Sequence, residues 1–183
     1  MNDNASLTQI INACKRGSKE GFSQIVEVYA NRLYGYFYRL TGNAEISNDL
    51  LSEVFVKLVE KIRTYGSGSF DLWLFKIAAN TFYDHLRQQQ RQKKLLEGHR
   101  QQLEQDATEA KESDSYAIDV LQTRLGEIDE RTRELLLLRY YSGLSFKEIA
   151  LMRNEPIGTV LSKVHRGLAK LRELMEQQYD REK

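Results

Sequence analysis

Between residues 157 and 172, hydroxyl and cationic side chains recur at helical spacing. Thr159, Ser162, Lys163, Arg166 and Lys170 fall on one side of a 3.6-residue period, and Ile157, Val160, Leu161, Val164, Leu168 and Leu171 on the other. Hydroxyls and cations near the N-terminal end of a helix can hydrogen-bond base edges and neutralise phosphates, which suits a helix lying in a DNA major groove. The same sorting also fits a surface helix in an ordinary bundle, so the preceding residues decide. Ser145 and Glu148 have the spacing of a capping box, Asn154 tolerates a left-handed turn, and Pro156 fits the first turn of a second helix. Ala150 lets that second helix cross closely, and Val160 stands ten residues on, where the two must touch. This spacing of alanine, turn residue and valine predicts a helix-turn-helix.

Catalytic and metal chemistry find little support. Cys14 is the single cysteine, and His85, His99 and His165 are scattered. No glycine-rich phosphate loop or paired-carboxylate motif stands out, so no enzyme, metal or cofactor is expected. One cysteine also excludes a disulfide scaffold and a structural zinc module. The longest apolar runs are about four residues, too short for a membrane span, and MNDNASLTQ lacks the apolar core of a secretory signal. A cytoplasmic protein is expected.

The elements that must position these groups are helices. The chain has 183 residues with a single proline, Pro156, and helical periodicity prevails where strand alternation is all but absent. Helices are predicted over Leu7 to Lys15, Lys19 to Leu40, Ile46 to Ile62, and from Phe70 into the polar residues after Arg87. Further helices are predicted over Ile118 to Leu125, Arg131 to Tyr141, Ser145 to Met152, and Pro156 to Gln177. Phe22, Ile25, Val26, Tyr29, Leu33, Tyr36 and Phe37 are the expected inner stripe of the second helix. Leu50, Leu51, Val54, Phe55, Leu58 and Ile62 are that of the third. Gly42-Asn43 should end the second helix.

Residues 88–115 hold no aromatic side chain and few apolar ones, and cannot bury enough surface to fold alone. The expected organisation is therefore all-α. Two small helical domains, 1–92 and 116–183, are joined by a flexible acidic linker, 93–115, and the second domain carries the helix-turn-helix. The formal net charge is only +1, but it is sorted into blocks: +4 over 76–100, −5 over 104–119 and +5 over 139–172. Two basic stretches flanking an acidic one say more about partners than the sum does.

These residues resemble the extracytoplasmic-function (ECF) sigma factors of bacterial RNA polymerase. The resemblance runs from Leu136 through Arg139, Gly143, Leu144, Ser145, Glu148, Ile149 and Ala150 to Gly158, Thr159, Val160, Ser162, Arg166, Leu171 and Arg172. Independently, DLLSEVFVKL (Asp49 to Leu58) is similar to that family's core-binding helix. FDLWLFKIAANTFYDHLRQQQR (Phe70 to Arg91) is similar to its promoter-melting segment. Departures are Glu127-Ile128-Asp129 where the family often has Leu-Pro, Gly167 where alanine is frequent, and the turn Asn154-Glu155-Pro156.

The resemblance implies a transcription initiation factor, not an enzyme, that directs core polymerase to promoters. Asp49, Leu50, Glu53, Phe55 and Val56 would meet the β′ clamp coiled coil, and the C-terminal domain would meet the β flap. The −10 element would be read as separated strand by Tyr65, Ser67, Gly68, Ser69, Asn80, Tyr83, Arg87 and Arg91, with Lys93 and Lys94 on phosphates. Asn80 has donors and acceptors for a base edge, and Tyr83 has a face for stacking. Trp73 fits the core by its spacing. The −35 element would be read as duplex by Thr159, Ser162, Lys163, Arg166 and Lys170, with Lys147 and Arg153 on the backbone. Partners are core polymerase, promoter DNA and an anti-sigma factor. The alternative is a stand-alone helix-turn-helix regulator that never joins the polymerase.

Overall fold

The computed structural model describes residues 3–97 and 116–181, and every regular element among them is helical. Most of the expected linker lies outside the described residues. Helix α1 (Asp3–Lys15) leads through Gly17, at φ 84°, to Ser18, whose hydroxyl caps α2 (Lys19–Thr41) by accepting from the Gly21 N–H at 3.1 Å. Gly42 closes α2 at φ 66°, its N–H donating to the Tyr38 carbonyl at 2.8 Å. Asn43 then caps α3 (Ala44–Lys61), accepting from the Ile46 N–H at 3.0 Å. A 3₁₀ turn, Ile62–Thr64, and an exposed loop lead into α4 (Phe70–Glu97). This helix runs past residue 92, into the stretch expected to be linker, because Gln, Arg, Lys and Leu there keep high helix propensity without a core.

The second half opens with α5 (Tyr116–Gly126). Asp129 caps α6 (Glu130–Leu136), accepting from the Thr132 N–H at 3.0 Å. One continuous helix was expected to Tyr141; instead α6 widens into a π turn, Leu137–Tyr141, with the Ser142 N–H reaching the Leu137 carbonyl at 2.8 Å. Helices α7 (Phe146–Arg153) and α8 (Ile157–Arg181) follow.

Apolar burial builds one continuous core. Ile25, Leu33, Tyr36, Phe37, Leu50, Val54, Leu58, Leu74, Phe75 and Phe82 close its first half, and Leu125, Leu135, Leu138, Ile149, Val160 and Val164 its second. Two residues of the expected inner stripes point outward: Val26 is 40% exposed and Ile157 48%. Each lies at the margin of its stripe, where a few degrees of helix rotation decide the side.

The halves meet along α2. Gln122 donates to the Tyr38 carbonyl at 2.9 Å and Arg133 to the Leu40 carbonyl at 2.6 Å, so side chains from the second half satisfy the C-terminal end of α2. Arg32 bridges Asp71 at 3.0 Å and the Ser142 carbonyl at 2.9 Å. Tyr141 covers Gly35 so closely that a Cβ there would stand 2.1 Å from the phenolic oxygen, and the Arg39 guanidinium lies 4.4 Å from the Tyr141 ring centre.

Gly167 records a second close approach, between α6 and α8. A Cβ at 167 would stand 2.4 Å from the Thr132 methyl. Gly167→Ala alone is therefore expected to lower the urea midpoint, despite alanine's helix advantage of about 1 kcal/mol. Adding Thr132→Ser removes the methyl and should reverse the sign. A stabilising Gly167→Ala single variant would show that Thr132 yields freely.

Candidate nucleic-acid interface

The helix-turn-helix is assembled by local chemistry. The Ser145 hydroxyl accepts from the Glu148 N–H at 3.2 Å, and the Glu148 carboxylate accepts from the Ser145 N–H at 2.8 Å and hydroxyl at 2.7 Å. Partial burial would raise the Glu148 pKa; these bonds, with the Ser69 hydroxyl from the loop before α4, bring it below its ordinary value. Asn154 adopts φ 53°, ψ 43°, and turns the chain so that α8 starts immediately after Pro156. Ala150 and Val160 are buried at the crossing.

On α8, Ser162, Arg166 and Lys170 are exposed, Thr159 is half-buried, and Lys147 on α7 is exposed. Ser162 donates to the Thr159 carbonyl at 2.9 Å, and Arg166 Nε donates to the Ser162 carbonyl at 3.3 Å, which keeps both side chains on one face. Lys163 is tied to Glu155 at 2.6 Å. Lys170 pairs with Glu173 at 3.2 Å, a surface contact of little weight.

The loop before α4 carries a second set. Ser67, Gly68 and Ser69 are exposed, with Gly68 at φ 101° accepting from the Tyr65 hydroxyl at 2.7 Å. Ser69 accepts from the Leu72 N–H at 3.1 Å and so caps α4. Tyr65 packs against Phe70 and Trp73, with ring centres 5.3 and 5.5 Å away. Trp73 is half-buried against the core. The Lys15 ammonium stands 5.1 Å from the Tyr65 ring centre. Sequence reasoning missed Lys15, because nothing in the chain order says that the end of α1 returns to this loop. Along α4, Asn80, Arg87 and Arg91 are exposed, and Arg87 pairs with Asp84.

On α3, Asp49, Glu53 and Val56 are exposed, joined by Val59 and Glu60 on the same helix. Leu50 is 2% exposed and belongs to the core, and Phe55 is half-buried, so neither offers the open contact expected of it. Lys57 folds back between Glu53 at 2.7 Å and the Thr81 hydroxyl at 3.1 Å, leaving an acidic and apolar ridge.

Two expected DNA contacts are engaged elsewhere. The Arg153 guanidinium, 19% exposed, pairs with fully buried Glu134 at 2.8 Å, donates to the Tyr83 hydroxyl at 2.7 Å and lies 4.8 Å from that ring's centre. The Tyr83 hydroxyl donates to the same Glu134 oxygen at 2.8 Å. Burial pushes the Glu134 carboxyl up, while Arg153 and Tyr83 pull it down; burial and the Glu134 charge raise the Tyr83 phenol. The buried Tyr36 hydroxyl stands beside this carboxylate and is raised well above its ordinary pKa, first by burial and then by the Glu134 charge.

The profile of Sigma-70 region 2 matches residues 25–92, and that of Sigma-70 region 4 matches residues 118–171. The RNA polymerase sigma factor CarQ of Myxococcus xanthus is 30% identical over 164 residues, covering 87% of this chain and 91% of CarQ. The ECF sigma factor SigW of Bacillus subtilis is 28% identical over 173 residues, covering 88% and 92%. SigE of Mycolicibacterium smegmatis is 32% identical over 157 residues, covering 84% of this chain but 61% of SigE. Among solved structures, the Bartonella quintana sigma factor RpoE, in complex with the anti-sigma factor NepR, superposes with a TM-score of 0.72 at 26% identity. That match covers 85% of this chain and 96% of RpoE.

Proposed function

Because the chain belongs to the ECF sigma factors of the sigma-70 family, we propose that residues 1–92 bind core polymerase and the −10 element, that 93–115 link, and that 116–183 read the −35 element. The protein is a transcription initiation factor that directs RNA polymerase to promoters. Its work is binding, with no catalytic group invoked. The observation that carries the assignment of reading surfaces is the capped α7–α8 turn, which leaves Ser162, Arg166 and Lys170 exposed on one face of α8. Ser162 and Arg166 suit base edges in a duplex, and Lys147 and Lys170 suit phosphates.

The −10 element meets a different surface. Ser67, Gly68 and Ser69 leave room beside the Tyr65 ring for a base turned out of its stack, and Asn80, Arg87 and Arg91 continue the path along α4. Tyr83 and Arg153 join these surfaces only when released from Glu134. A stand-alone regulator would need neither this segment nor the ridge on α3. An anti-sigma protein is the expected regulator, since RpoE was solved with one.

Asp49, Glu53, Val56, Val59 and Glu60 fit a basic partner surface with an apolar centre, such as the polymerase clamp. Val56→Arg should weaken core binding about tenfold or more without loss of folding, because Val56 is 58% exposed. Transcription from a promoter library with bacterial core polymerase, with and without the protein, tests the whole reading. Promoter-specific transcripts that need the protein, and that fall with Val56→Arg, are expected. Folded protein that does not bind active core would overturn it.

A further inference from the structure

Resting on that reading, we propose that the described form is locked shut by Glu134, which holds Tyr83 and Arg153 away from DNA, and that opening this lock precedes promoter engagement. Three observations converge. First, Tyr83 lies on α4 and Arg153 on the first helix of the helix-turn-helix, and both bond one oxygen of a carboxylate that water does not reach. The donors are matched to acceptors: arginine donates to the phenolic oxygen and the carboxylate, and the phenol donates its proton to the carboxylate.

Second, α7 packs along α4. At the other end of that contact, Glu148 stands within reach of the Ser69 hydroxyl. The segment expected to hold the melted strand and the helix-turn-helix therefore cover part of each other. Third, the same closure is fixed on α2, where Gln122 and Arg133 bond helix-end carbonyls, Arg32 bonds the Ser142 carbonyl, and Tyr141 fills the space over Gly35. By contrast, Asn80, Arg87, Ser162 and Arg166 stay exposed. The closed form thus hides parts of both reading surfaces, so that promoter binding must first supply the free energy of opening.

The lock can be broken at two places that make no expected DNA contact. Glu134→Ala removes the shared acceptor and leaves Arg153 and the Tyr83 hydroxyl uncompensated in the closed form alone. The closed-to-open ratio should fall on the order of 100-fold. Gly35→Leu drives a side chain into Tyr141 while suiting the α2 helix.

Spin labels at Glu27→Cys and His165→Cys, both exposed positions on α2 and α8, report the distance between halves in the full chain. The free protein should show one short, narrow distance. Either variant, and core polymerase added to the otherwise unaltered protein, should shift it to long, broad distances. Binding of free protein to a forked DNA carrying the strongest promoter from the library should tighten at least tenfold in the opened variants. A broad distance in the free protein overturns the lock, as does a short one that survives both variants and core. Opened variants with unchanged DNA affinity overturn its role in promoter engagement. If no promoter-specific transcript is found, the sigma reading and the functional limb fail together, whereas the distance still decides whether the lock exists.

Discussion

Arg166→Ala is expected to cut promoter-specific transcription by roughly 10- to 100-fold while leaving core binding unchanged. The side chain is exposed on the outer face of α8, four residues beyond Ser162, and its Nε is steadied by the Ser162 carbonyl at 3.3 Å. That bond engages one donor and leaves the terminal nitrogens for a guanine edge or a phosphate. Lys163, next to the same face, is held by Glu155 at 2.6 Å and must give up that pair to reach DNA, so Lys163→Ala should cost less. The two kinds of contact separate in a promoter library. If Arg166 reads a base, its loss relaxes the preference at one −35 position; a phosphate contact, as expected for Lys170, weakens all promoters alike and lowers the salt dependence by about one counterion. Full activity of Arg166→Ala across the library would remove α8 as the reading helix.

The helix-turn-helix was legible because its signals are local. Ser145, Glu148, Asn154 and Pro156 each act on backbone groups within four residues, and all four are found as their types predict. The same holds for Gly42 and Asn43 between α2 and α3. The resemblance of Asp49 to Leu58 and Phe70 to Arg91 extended this to the function, since family patterns carry partner information that periodicity does not.

What escaped the sequence is set by contacts between distant residues. Glu134 reads as one more surface charge in α6, yet it is fully buried. Its partners lie 51 residues earlier and 19 residues later, and no spacing rule links them. Gly167 looked like a simple loss of helix propensity; it is the point where α8 crosses the Thr132 methyl. Leu50 shows the converse limit. A motif can mark a helix as a contact helix, but burial decides which of its side chains reach a partner, and Leu50 faces the core while Val56 and Val59 face out.

The largest stability effect is expected at the buried pair. Arg153→Met should cost about 3–5 kcal/mol in the closed form, because it strands the Glu134 carboxylate with the Tyr83 hydroxyl as its remaining donor among the groups described above. Glu134→Leu should cost less, since Arg153 keeps 19% of its side chain in water and can turn outward. The double replacement, apolar against apolar at similar volume, should recover most of the loss or exceed the starting stability. Urea unfolding of the four proteins gives the coupling directly, and additive losses would show that the two side chains do not depend on each other. Opening the halves changes what is read. In the open form the pair meets water, so Arg153→Met can escape its penalty by opening, and its measured loss cannot exceed the cost of opening. Hydrogen exchange along α6 and α7 separates the two routes. Global loss lowers protection throughout both helices, whereas escape by opening lowers it chiefly where they face α4. A single replacement that costs less in unfolding than in protection at that face would therefore measure how firmly the closed form is held.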